Sequence, residues 1–217
     1  NFLYMLKGAE PDEQEVRRFD TCLILHADHE LNASAFSARV TSSTLSGIYS
    51  SVMAAIGTLK GPLHGGANEQ VARMLLEIKS PDRLEAWLEA ALASGEKIMG
   101  FGHRVYKEGD PRAKILKAMS REITREVGHP EMYEMSARLE ELMGQRKGLI
   151  CNVDFYSASV YHSMGIPIDL FTPVFATSRV AGWCAHVLEQ YQNNRIYRPR
   201  GKYVGPTGEV YTPIDER

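Results

Sequence analysis

Five short segments carry side chains that could do chemistry. In His26-Ala27-Asp28-His29-Glu30, a helix would place His26, His29 and Glu30 on one face, because residues three and four apart are helical neighbours. That spacing suits metal ligands, although it is not the HExxH order of a zinc protease. A structural polar cluster and an organic-ligand site stand open beside the metal. In Gly61-Pro62-Leu63-His64-Gly65-Gly66-Ala67-Asn68, a loop runs into apolar periodicity at Val71, Met74, Leu75 and Ile78. Backbone N–H groups at that helix start could hold an anion or oxyanion beside His64, and the glycines let the chain approach a ligand closely. A plain helix–helix turn is the alternative.

Met99-Gly100-Phe101-Gly102-His103-Arg104-Val105-Tyr106-Lys107, followed by Asp110-Pro111-Arg112, sets one imidazole among Arg104, Lys107 and Arg112. Its GxG lacks the full GxGxxG and the preceding strand, which argues against a Rossmann dinucleotide site. In Asn152-Val153-Asp154-Phe155-Tyr156-Ser157, Asp154 opens a helix among apolar residues; taken alone it reads as an N-cap. Arg179 sits on a helix of otherwise small or apolar residues, and Arg198-Pro199-Arg200 lies in an irregular tail. Arginines beside apolar faces pair with carboxylates, the protein's own or a ligand's.

Helices must position these groups. Asp12 and Glu15 form a capping-box pattern for a helix predicted to run through Cys22 to His29. Ser80-Pro81 starts a stripe of Leu84, Trp87, Leu88, Ala91 and Leu92 that Gly95 stops. Asp110-Pro111 starts another of Ile115, Leu116, Met119, Ile123 and Val127, ended by Gly128 and Pro130. Met135, Leu139, Leu142 and Met143 make a third, and Val180, Trp183, Cys184, Val187, Leu188 and Tyr191 a fourth. Breaks at 60–68, 99–110 and 148–155 interrupt the pattern, and they hold His64, His103 and Asp154. From Arg195 periodicity is lost, and the tail is expected to wrap over a surface.

Composition bounds the function. With 217 residues, 44% of them hydrophobic, the chain can bury a sizeable core. A net charge of -2 supplies no global field for nucleic acid or a membrane surface. Apolar runs such as Val52 to Ile56 fall far short of the roughly 20 residues of a spanning helix. Cys22, Cys151 and Cys184 are scattered, which suggests reduced core thiols and a cytoplasmic protein. The chain starts at Asn1, and Phe2 to Leu6 reads as the middle of a folded unit, so a piece of a longer chain is expected.

Taken in order, LHADHE, GPLHGGAN, MGFGHRVYK with DPR, NVDFYS, and SRVAGW with RPR resemble the citrate synthase family, from Asn1 to about Lys202. The resemblance implies an all-α fold of two domains closing over the substrates of a homodimer. Residues 1–64 would be part of the large domain, 65–159 the small domain, and 160–217 the return to the large domain and the tail. A long N-terminal portion of the family is missing here, so helices that expect it should show apolar faces.

The implied reaction condenses acetyl-CoA with oxaloacetate and hydrolyses citryl-CoA to citrate and CoA. No cofactor or metal is implied beyond the coenzyme A thioester co-substrate. By resemblance His64, His103 and Asp154 are catalytic. His29, His103, Arg112, Arg179 and Arg198 bind oxaloacetate or citrate, with Arg198 reaching across the dimer and Arg200 as its alternative. Met99, Gly100, Phe101, Gly102 and, more loosely, Lys107 bind coenzyme A. A 2-methylcitrate synthase using propionyl-CoA fits the same strings. A metal-dependent hydrolase built on His26, His29, Glu30 and His64 is the rival of another class.

Overall fold

The capping box at Asp12 and Glu15 is formed: Asp12 Oδ1 accepts from the Glu15 amide at 2.8 Å, and the Glu15 carboxylate accepts from the Asp12 amide at 3.3 Å. It opens α2 (Glu13–His26), which follows a short α1 (Phe2–Lys7). The computed structural model describes residues 1–217. Its further helices are α3 (Ala33–Ser43), α4 (Ile48–Leu59), α5 (Ala67–Ile78), α6 (Pro81–Ala93), α7 (Pro111–Glu126), α8 (Pro130–Lys147), α9 (Val153–Ser163) and α10 (Phe171–Gln192). The fold is all-α, and its single β-type contact is an isolated antiparallel bridge between Phe101 and Cys151.

Leu84, Leu88 and Ala91 of α6 and Met135, Leu139, Leu142 and Met143 of α8 are buried, as their periodicity predicts. With Val71, Leu75 and Ile78 of α5, Leu116 of α7 and Phe155 of α9 they form one continuous core that also takes Phe19 and Cys22 of α2. Each fully buried side chain of this size contributes about 1.5–3 kcal/mol relative to exposure, so α9 and the Asp154 at its start are held firmly. A second, smaller core joins Ala35 and Ala38 of α3, Ala55 and Leu59 of α4, and Phe175, Trp183 and Val187 of α10. The opposite side of α4 is apolar and open, with Tyr49 85% and Met53 73% exposed. No helix is long and apolar enough to cross a membrane.

Turn chemistry overrides periodicity in several places. The second helix ends at His26, not His29. Asn32 starts α3 instead, its Oδ1 accepting from the Ala35 amide at 3.1 Å and its Nδ2 donating to the carbonyls of His29 and Glu30, both at 3.2 Å. Glu30 is left with a positive φ of 51°. The expected face shared by His26, His29 and Glu30 is therefore not formed.

Asn152, not Asp154, caps α9, its Oδ1 accepting from the Asp154 amide at 3.1 Å. On α7 the buried side is Ala113, Leu116, Ser120 and Ile123, and Ile115 and Val127 face out; Leu188 of α10 is also exposed. Ser80 starts α6 without a side-chain cap. Cys22 and Cys151 are buried, but Cys184 is only half-buried. The tail does not wrap the body. It touches it near Ser43, whose Oγ accepts from the Tyr197 amide at 3.0 Å, and its later apolar residues, such as Val204 and Val210, are exposed.

Candidate active site

His64 stands in the turn between α4 and α5. A Cβ on Gly66 would lie 2.9 Å from the Lys60 carbonyl oxygen, and one on Gly65 would collide with the Leu59 side chain, so the turn is as tight as glycine permits. His64 Nε2 accepts from the Ser34 amide at 3.3 Å and lies 2.8 Å from Ser34 Oγ. A backbone amide can only donate, so the neutral ring keeps its proton on Nδ1. Burial, seconded by the charge of Arg179, lowers its pKa to about 4. At neutral pH His64 is thus an uncharged ring with Nδ1–H to donate into the cleft it lines.

His103 has the opposite tautomer. Its Nδ1 accepts from the amides of Val105 and Tyr106, both at 3.0 Å, which leaves the proton on Nε2. Burial again lowers its pKa. The His29 ring lies 5.2 Å from that of His103, and His29 Nε2 is 3.2 Å from the Tyr106 hydroxyl. Burial, then Arg112, lowers the pKa of His29.

Asp154 lines the same cleft, of about 700 Å3, with its Oδ1 sealed from solvent. Burial outweighs the nearby guanidiniums of Arg112 and Arg179 and raises its pKa to about 7. A carboxyl poised near neutrality is suited to general-base work. Arg179 is 1% exposed, donates through Nε to the His26 carbonyl at 2.6 Å, and stacks on Phe175 at 4.8 Å. It forms no ion pair with a carboxylate of the chain, although it faces the cleft. A buried guanidinium in that position can receive an anion. Arg112 is tied twice to Asp110, Nε to Oδ1 at 3.0 Å and Nη2 to Oδ2 at 2.8 Å. Asp110 Oδ2 also accepts from the Val153 amide at 3.0 Å, fixing the starts of α7 and α9 to each other.

The segment 99–102 is clamped to 150–152. Gly102 N donates to Ile150 O at 2.8 Å, Asn152 N to Gly100 O at 2.9 Å, and Asn152 Nδ2 to Gly102 O at 3.0 Å. Gly100 has φ 82°, and a Cβ there would lie 2.8 Å from both Phe155 and Val71. Across the cleft, α10 grips the end of α2: Arg179 holds the His26 carbonyl, Ser178 Oγ donates to the Leu23 carbonyl, and Gly182 N donates to the Ala27 carbonyl at 3.1 Å. Gly182 has no room for a Cβ against Ala27 and Asp28. This contact aims the His29 turn.

His29, His64, Met99, Gly100, Phe101, Gly102, His103, Arg112, Asp154 and Arg179 thus line one cleft. Lys107 is exposed on the lip and outside that lining, and Arg198 is exposed in the tail, away from the cleft of its own chain. His26 turns inward, fully buried, with Nδ1 2.7 Å from the Cys22 carbonyl. Nowhere do three or more of the chain's His, Cys, Asp and Glu gather as a metal set. Ser34, Asp110 and Tyr106 support the site without having been singled out for it. Ser34 Oγ also accepts from Trp183 Nε1 at 3.0 Å. The DPR string hinted at Asp110, but nothing local in the sequence pairs Ser34 with His64.

Residues 1–200 match the family model described as "Citrate synthase, C-terminal domain". The chain is 61% identical over 217 residues to citrate synthase 2 of Bacillus subtilis, covering all of this chain and 58% of that protein. It is 48% identical to the 2-methylcitrate synthase of Shewanella oneidensis, again over all of this chain and 58% of the relative. A solved ternary complex of carboxymethyl coenzyme A and oxaloacetate with the citrate synthase of Thermoplasma acidophilum superposes with a TM-score of 0.93 at 42% identity, covering 100% of this chain and 59% of that one. The chain therefore spans a little under three fifths of the length of these relatives.

Proposed function

The chain belongs to the citrate synthase family, and on that premise we propose that its cleft condenses acetyl-CoA with oxaloacetate and hydrolyses citryl-CoA to citrate and coenzyme A. Asp154 takes a proton from the thioester methyl. His64 Nδ1–H donates to the thioester oxygen as negative charge builds there, and one such donor is worth roughly 3 kcal/mol. His103 Nε2–H donates to the oxaloacetate ketone, whose carbon then bonds to the former methyl carbon, while the ketone oxygen becomes the hydroxyl of citryl-CoA. Water cleaves that thioester, releasing coenzyme A and the third carboxylate.

Arg179, Arg112 and His29 hold the dicarboxylate, and Met99 to Gly102, with Lys107 at the lip, receive the coenzyme. Arg198 serves the site of a second protomer in a homodimer. The open apolar face of α4 supports such an assembly. Closure of residues 65–159 against the rest excludes water from the enolate. We assign the enzyme to the cytoplasm.

What supports this reading above all is one cleft holding a carboxyl with its pKa near 7, two neutral imidazoles with assigned tautomers, and a buried arginine lacking an ion-pair partner. The test is thiol release by the full-length protein from acetyl-CoA and from propionyl-CoA, each with and without oxaloacetate. Release from acetyl-CoA only with oxaloacetate is expected; equal release without it would overturn the proposal. The relative in Shewanella keeps propionyl-CoA as the second reading, and a higher kcat/KM with that thioester would favour it. One methylene is worth only about 1–3 kcal/mol of discrimination.

A further inference from the structure

Behind the Asp154 carboxylate, three polar atoms are sealed from solvent with no hydrogen-bond partner: Asp154 Oδ1, Tyr161 Oη and His26 Nε2. Tyr161 is the link between the other two: it feels the charge of Asp154 and packs near His26, and His26 and Asp154 share Arg112, Arg179 and Asp110 as charged neighbours. Tyr161 follows Asp154 by seven residues on α9, close to two full turns, so both stand on one face. Helical side chains lean toward the N-terminus, which brings the Tyr161 hydroxyl back toward the carboxylate. The His26 ring, at the end of α2, has its centroid 6.1 Å from that of Tyr161, and both residues are fully buried. Native proteins satisfy nearly all such atoms, commonly with an ordered water.

The three atoms are complementary in kind. His26 Nδ1 lies 2.7 Å from the Cys22 carbonyl, which can only accept, so Nδ1 holds the proton and Nε2 is a bare acceptor. Asp154 Oδ1 also accepts, and the Tyr161 hydroxyl donates. A single water within reach of the three, accepting from Tyr161 and donating to His26 and Asp154, would complete all of them. Burial lowers the His26 pKa to about 4, so Nε2 stays an acceptor at neutral pH. The charged groups around the site are Arg112 and Asp110 from the start of α7 and Arg179 from α10, and the Cys22 thiol faces Tyr161 from α2.

We propose that Asp154 Oδ1, Tyr161 Oη and His26 Nε2 hold one buried water that anchors the sealed carboxylate oxygen and leaves Oδ2 for the substrate, which makes Tyr161 a positioning residue. The proposal rests on reading Asp154 as the base. Tyr161→Phe in the full-length protein removes only the hydroxyl. Turnover is expected to fall about tenfold, the oxaloacetate KM to stay unchanged, and the acid limb of the kcat profile to move to higher pH, because the water that donates to the ionised carboxylate loses the hydroxyl that holds and polarises it. A high-resolution crystal structure of the unaltered protein is expected to show a water within about 3.2 Å of all three atoms. An empty position there, or a Tyr161→Phe profile that superimposes on that of the parent, overturns the proposal. The two readings fail separately: Asp154→Asn with near-parental turnover removes the base itself, whereas the water and the Tyr161 profile speak only to its support.

Discussion

The two sides of the cleft are built differently. One wall is the more enclosed: Asp154 at the start of α9 with its Oδ1 shut off from solvent, Arg179 buried in the middle of α10, and His64 half-buried in a turn with no room beyond glycine. The other is the lip from Met99 to Asp110, a loop whose inner end is clamped to 150–152 and whose outer residues, Arg104, Val105, Lys107 and Glu108, are exposed. Burial on the first side displaces pKa values far enough to matter: Asp154 up to about 7, His64 down to about 4. On the lip burial lowers the pKa of His103, as it does for His64. Chemistry that needs an unusual protonation state belongs on the enclosed wall, and recognition that needs movement belongs on the lip.

Substitutions on the two sides should differ in kind as well as in size. Asp154→Asn is expected to lower kcat for thiol release about a thousandfold with the oxaloacetate KM changed no more than a few-fold, because the proposed base is lost and the proposed anion receptors stay. His64→Ala should cost about a hundredfold in kcat, measured in the same assay. A comparable loss from Lys107→Ala would erase the distinction between wall and lip.

Gly100→Ala probes the clamped junction between them. A side chain at φ 82°, with Phe155 and Val71 2.8 Å away, is expected to destabilise the fold by about 2 kcal/mol and raise the KM for acetyl-CoA. Thermal melting and saturation kinetics read both effects.

The pH dependence of stability tests the wall alone. His26 and His64 have folded pKa values near 4, below the ordinary 6.5, so they favour the folded state above that range and withdraw support as pH falls from about 6.5 to 4. Asp154 is raised from 3.8 to about 7, so its contribution runs the other way: it penalises folding above pH 7 and relaxes as pH falls toward 4. The loss of stability between pH 6.5 and 4.5 should therefore be steeper in Asp154→Asn than in the parent, as urea midpoints would show. An equal or shallower slope would contradict a carboxyl held near neutrality. Lys107→Ala carries the smallest effect, a few-fold rise in the acetyl-CoA KM with kcat unchanged.

Much of this was legible before folding. Stripes on α5, α6 and α8, the capping box at Asp12, and Pro starts at Pro81 and Pro111 depend on residues within a few positions of one another, so local spacing suffices to read them. The end of α2 was not. Periodicity carries the helix to His29, but the Asn32 cap and the grip of α10 on residues 26–28 stop it three residues sooner. That change separates His26, a buried support, from His29, which faces the cleft.

By itself the chain order determined the helical class and which ionisable groups stand beside helix starts, because periodicity and capping act over one or two turns. Tertiary structure decided which imidazole nitrogen carries the proton, which arginine lacks an ion-pair partner, and which carboxyl is pushed toward neutrality. Those properties come from partners far away in the chain: Ser34 for His64, Phe175 and the His26 carbonyl for Arg179, and burial beneath the helices packed on α9 for Asp154. Proton affinity is set by surroundings in space, and the spacing of residues along a strand of sequence does not report them.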